Sequence, residues 1–202
     1  MSLPRLPISV LAVFVLLVLP ARAATEAKPE AEAKAATPKL FTLTSPTLKD
    51  DAMLAAKYAG SNCRGGGSGK SVSPPLAWSN APPSTKSFAL MMIDPDGLRG
   101  MGSVHWVAYN IPPTRKALKE GEGNREVKDI SEGENSRGTP GYTGPCGPPG
   151  DAPQHYVIQL LALDIAAGTL QPGLDRDGLL KMINGHSLGP ASMVVRYRRT
   201  IP

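Results

Sequence analysis

Ser87-Phe88-Ala89-Leu90-Met91-Met92-Ile93, closed by Asp94-Pro95-Asp96, is the stretch whose reading decides the fold. Seven residues carry no helical spacing of polar positions, and the run stops at a turn signal. Apolar runs of this length, bounded by Pro, Gly or Asp, are strands rather than helices. Val104-His105-Trp106-Val107-Ala108-Tyr109-Asn110-Ile111 follows closely, rich in β-branched and aromatic residues and ended by Pro112-Pro113. Tyr156–Leu163 and Met193–Tyr197 read the same way, and Phe41–Thr44 alternates. The one helix expected spans Asp177–Ile183, with Asp177 as cap and Asn184-Gly185 as stop. Pro and Gly number 21 each, which favours a mainly β domain with long, structured loops.

Outward from that core, the chain has three parts. Arg5 and the apolar run Ile8–Leu19, followed by Ala21-Arg22-Ala23, predict a signal peptide over residues 1–23, cleaved after Ala23. The run is short of the roughly 20 residues a spanning helix needs, so an uncleaved anchor is the lesser alternative and no integral membrane segment is expected in the mature form. Periplasmic or secreted location follows. Residues 24–39 are almost wholly Ala, Glu, Lys, Pro and Thr, a tether with too little apolar surface to order itself. Residues 40–202 form one domain.

The formal charge of +5 drops to +3 when Arg5 and Arg22 leave with the signal peptide. No broad basic face with interleaved aromatics is present, so nucleic acid is not an expected partner. Cys63 and Cys146 both lie in the exported part. An oxidising compartment favours a disulfide between them, with two separate thiols as the alternative.

Two motifs fail on inspection. Gly65–Ser71 (GGGSGKS) resembles a phosphate-binding loop, but Arg64 stands where its first Gly belongs, and Pro74-Pro75 forbids the helix that must follow. Gly185-His186-Ser187-Leu188-Gly189 matches a nucleophile elbow letter for letter. Only thirteen residues follow it, without His, Asp or Glu, so no triad is available downstream.

What remains is a set of polar groups at strand ends. Asp94 and Asp96 flank a rigid Pro, His105 sits within the next strand, and Gly144-Pro145-Cys146-Gly147-Pro148-Pro149-Gly150 is a stiff loop before the strand at Tyr156. Gly-rich backbone beside a His suits anion recognition, because N–H groups can approach closely.

In order along the chain, Ser73-Pro74-Pro75-Leu76-Ala77-Trp78, Lys86–Leu90, Asp94-Pro95-Asp96, His105–Pro112, Gly141–Cys146, Tyr156-Val157, Ala162-Leu163-Asp164 and Gly185–Leu188 resemble the phosphatidylethanolamine-binding proteins. The likeness is to their bacterial, Raf kinase inhibitor-like branch, and it covers residues 41–198. It implies two antiparallel β-sheets, a β-sandwich, with a few short peripheral helices. It implies a pocket for a small anion or a phospholipid head group, formed by Asp94, Asp96, His105, Gly144, Cys146, Pro148 and Tyr156. It also supports the Cys63–Cys146 bond and allows a protein partner, since family members modulate kinases or proteases by contact. No cofactor or metal is implied.

The chain departs from the family pattern at informative places. Gly97-Leu98 follows the Asp-Pro-Asp turn instead of Ala-Pro, which predicts a looser turn. Ser103 and Val104 stand where an aromatic is common. Gln154 replaces the His of a His-Arg-Tyr segment, while His155, in the Arg position, points to the opposite face. Gly147 replaces a Pro. Either Gln154 donates from its amide or the pocket has lost one anion partner. A binding module is therefore the leading reading, with His105 as a donor. An interaction or inhibitor protein with a degenerate pocket is the alternative. Less favoured is a hydrolase using Asp94, Asp96 and His105, for which no nucleophile is evident.

Overall fold

Strands buried on both faces need a cover on each side, and the computed structural model supplies two different covers. It describes residues 39–64, 66–67 and 69–200. The expected signal peptide, nearly all of the tether, and Gly65 and Ser68 of the Gly-rich loop lie outside the described residues.

In chain order the elements are β1 (Thr42–Thr44), β2 (Ala52–Met53), β3 (Leu76–Ser79), β4 (Ser87–Asp94), α1 (Gly97–Gly100), β5 (Ser103–Ile111), β6 (Ala117–Leu118), β7 (Ser131–Glu132), β8 (Gln154–Leu163), α2 (Arg176–Met182) and β9 (Ser187–Tyr197). One sheet has the order β1-β3-β6 and the other β2-β9-β8-β4-β5-β7. Pairing is antiparallel throughout except at β2, which runs parallel to β9 over Ala52 and Met53.

Alternation along β4 divides the core in two. Phe88, Leu90 and Met92 face the small sheet and pack with Trp78, Trp106, Ile158 and Val195. Ala89 and Met91 face the other way and pack with Val107, Leu161, Leu174 and Leu179 beneath α2. The seven-residue run is thus apolar on both faces because both faces are covered. Removing one such side chain, as in Leu90→Ala, typically costs about 2–5 kcal/mol.

Two boundaries differ from expectation. The N-cap of α2 is Asp175, not Asp177: Asp175 is extended, and its Oδ1 accepts from Gly178 N at 2.8 Å. Asp177 lies in the first turn, where its charge still suits the positive end of the helix dipole. The last strand begins at Ser187 rather than Met193, despite Gly189 and Pro190. Pro190 pairs across from Leu161. On its other side that part of β9 is a sheet edge, since β2 reaches only Val195 and Arg196. A missing N–H there breaks no ladder. Ser187 consequently opens a strand, with no helix after it, and the elbow motif has no structural counterpart.

Candidate functional site

The ends of β4, β5 and β8 meet at one end of the large sheet, and the loops leaving them enclose a cavity of about 670 Å³. Asp94 closes β4 and is buried. Its Oδ1 folds back on the following turn, accepting from Asp96 N and Gly97 N at 2.9 Å each. Burial raises its carboxyl above the ordinary range, while those two amides act in the opposite direction. Asp96 is held from outside. His155 N and His155 Nδ1 both lie 2.8 Å from its Oδ2, and these contacts keep its carboxyl below the usual range. Asp94 and Asp96 are therefore not a free pair of acceptors. Asp94 is engaged by the turn's own amides and Asp96 by His155 on β8.

The turn is also not loose. Gly97 packs so closely that a Cβ would lie 2.8 Å from Ser103 Cβ, a contact only glycine avoids. Leu98 and Arg99 then take left-handed conformations, with φ of 50° and 61°. Each costs roughly 1–2 kcal/mol for a residue with a Cβ. The chain closes again with Gly102 N donating to Gly97 O at 3.0 Å.

His105 lies on β5 and is buried, its ring edge-on to Tyr156 at 5.1 Å. Its Nδ1 is 2.8 Å from Thr143 O. A carbonyl only accepts, so Nδ1 carries the proton and the neutral ring keeps a lone pair on Nε2. Burial lowers the imidazole to about 4, with Arg137 acting in the same direction and the Thr143 contact against it. At neutral pH His105 is thus an acceptor rather than the donor expected.

Gln154 opens β8 on the same face as Tyr156, whose hydroxyl donates to Gln154 Oε1 at 3.1 Å. The amide oxygen is occupied, leaving the NH₂ as the free end. A Cβ at Gly147 would sit 2.6 Å from that oxygen, so Gly147 and Gln154 fit as a pair. His155 is exposed on the opposite face, as alternation requires, and there it meets Asp96.

Beyond the strands, the loop carrying Cys146 is tied to the loop carrying Cys63 by a disulfide with a Cα–Cα distance of 5.3 Å. Arg199, itself buried, adds two hydrogen bonds to the second loop, to Gly66 O at 2.6 Å and Arg64 O at 3.0 Å. These ties place Arg64 on the cavity wall, where Arg99 and Arg137 also stand. Arg137 Nη2 is 3.1 Å from Cys146 Sγ.

Of the residues expected at the site, Asp94, Asp96, His105, Cys146, Pro148 and Gln154 line the cavity. Gly144 and Tyr156 do not. Gly144 is packed against the backbone of Tyr58, Ala59 and Gly60, and Tyr156 stands behind Gln154. The three arginines were not anticipated. They sit on separate loops without periodicity.

These residues and this fold are those of a β-sandwich with a polar cavity at its strand ends. Residues 44–198 match the profile of the phosphatidylethanolamine-binding proteins, and the chain belongs to that family. A protein of Methanothermobacter thermautotrophicus called UPF0098 is 39% identical over 133 residues, covering 65% of this chain and 85% of that one. The crystal structure of Escherichia coli YbcL, described as a member of the mammalian PEBP family, superposes with a TM-score of 0.72. It is 31% identical, over 78% of this chain and 98% of YbcL. A Chlamydia trachomatis homologue of the family gives a TM-score of 0.67 at 28% identity, covering 79% of this chain and 97% of the other.

Proposed function

We propose that this chain is an exported binding protein that captures a small phosphate-like anion, free or as a phosphorylated head group, in the cavity at the ends of β4, β5 and β8. The observation that carries this reading is the convergence of Arg64, Arg99 and Arg137 from three loops onto one cavity. Guanidinium groups present forks of donors matched to phosphate and carboxylate oxygens. The Gln154 amide adds an uncharged donor. His105 offers a lone pair, which favours an anion that brings its own proton, such as a phosphate monoanion with a P–OH.

Calorimetric titration of the purified protein with phosphate and with phosphoethanolamine tests the reading. Saturable binding is expected, weakened about tenfold or more by Arg137→Gln, the loss of one charge-assisted contact. Unchanged affinity in Arg137→Gln would remove the cavity from the account.

A second reading, modulation of a partner protein by contact, draws on Leu98 and Met101. They are 61% and 84% exposed on the left-handed turn beside the cavity. The double variant Leu98→Ser/Met101→Ser separates the two, because anion capture should survive it.

A further inference from the structure

Glu132, a half-buried acid, takes no part in the anion cavity. On β7 it lines another cavity, of about 400 Å³, between the segment 123–130 and Pro140–Tyr142. Its Oε2 accepts from Trp106 Nε1 at 2.8 Å. Among the described residues its Oε1 takes no hydrogen bond, and it is not one of the sealed, partnerless polar atoms, so it opens on the cavity. Burial raises the carboxyl to about 7, with the indole N–H acting against that rise. The indole N–H marks Oε2 as the acceptor oxygen, so a proton on Glu132 resides on Oε1.

The surroundings narrow what fits. Val127, Ile130 and Tyr142 give the cavity an apolar wall. Arg125 and Glu126 stand at its rim with opposite charges. Glu122, just before that segment, is turned away: its Oε2 accepts from Arg115 Nη1 and Lys119 N, and its Oε1 is 3.7 Å from Arg125. Trp106 contributes only its N–H, and Tyr142 donates its hydroxyl to Tyr58 O. Among the described residues no cation bonds the Glu132 carboxylate, and Arg125, which lines the cavity, pairs with Glu122 instead. A desolvated carboxylate without a cation is costly, and a ligand supplying an ammonium removes that cost.

We propose that this cavity is a second ligand site, taking a small primary aliphatic amine with its ammonium on Glu132 Oε1 and its carbon chain between Val127, Ile130 and Tyr142. The site is independent of the anion cavity. Binding holds Glu132 in its ionised form, so below neutral pH one proton leaves for each ammonium bound.

The test is titration of the purified protein with n-butylammonium chloride, with n-butanol as the uncharged control, followed by calorimetry and by tryptophan fluorescence. Trp106 reports directly, since it donates to Glu132 and packs edge-on to Tyr142 at 5.7 Å. Saturable binding is expected at pH 8, about thirtyfold weaker at pH 5.5, where only about 3% of a group titrating near 7 is ionised. Glu132→Gln keeps an acceptor for the indole and should lose tenfold or more in affinity. In the wild-type protein, saturating butylammonium should also lower the Glu132 titration midpoint followed by carboxyl carbon NMR. Butanol binding as tightly as butylammonium, equal affinity in Glu132→Gln, an unmoved midpoint, or no saturation by about 50 mM would each overturn the proposal.

Discussion

Replacing both Cys63 and Cys146 by serine should lower stability by about 4–5 kcal/mol. The bond joins positions 83 apart. Closing a loop of that length removes unfolded-chain entropy worth about 4.5 kcal/mol at room temperature. The native state should survive the loss. Arg199 still holds the loop through Gly66 O and Arg64 O, and Gly60 N still donates to Pro145 O at 2.8 Å. For a domain of this size each kcal/mol moves the midpoint by roughly 2–4 °C, so a drop of about 8–20 °C is expected. Differential scanning calorimetry of the variant, beside the wild type with and without reductant, measures it. The reduced wild type should melt close to the serine variant. A drop under about 3 °C, with both transitions cooperative, would refute the reasoning and place the bond's effect outside chain entropy.

Other expectations follow from single contacts. Leu98→Gly should stabilise by about 0.5–1 kcal/mol, because glycine relieves a left-handed φ at an exposed position; thermal denaturation checks it. Glu132→Gln should gain on the wild type as pH rises from about 5 to 7.5. The native carboxyl keeps its proton to about 7, whereas the unfolded chain releases it near the ordinary glutamate value, so wild-type stability falls over that window by up to about 3 kcal/mol. His105 imposes the opposite slope between about pH 4 and 6.5, where the unfolded chain binds the proton that the native ring refuses. That slope is common to both proteins and cancels in their difference, read from urea titrations at each pH. Phosphate binding above pH 7 should take up about one proton, measured by calorimetry in buffers of different ionisation enthalpy, because neutral His105 pairs with a protonated anion. N-terminal sequencing of protein recovered from the periplasm or medium should begin at Ala24.

The strands that carry the core were legible because their apolar runs match their burial. Ser87–Ile93 and Tyr156–Leu163 differ from β4 and β8 by only one or two residues at an end. The pieces that escaped are held by tertiary pairing: β2, β6 and β7 are two residues each, and β3 lies behind Pro74-Pro75. The first half of β9 was hidden by Gly189 and Pro190, which only an edge tolerates. At the site, Asp94, His105 and Gln154 could be found from their order along the chain. What their side chains do could not. Whether Asp94 points into a cavity or back to Gly97 N is a matter of one turn's geometry, and the tautomer of His105 depends on a carbonyl 38 positions away. The arginines come from loops brought together by a disulfide and by Arg199, and no local pattern announces such convergence.

Anion capture in the cavity is tested most directly by a crystal structure grown with arsenate, a phosphate analogue that keeps a protonatable oxygen near neutral pH and is located by its anomalous scattering. The anion is expected within hydrogen-bonding distance of Arg137 and the Gln154 amide, beside His105. Arsenate absent from that cavity, with Arg64, Arg99 and Arg137 still lining it, would overturn the proposal.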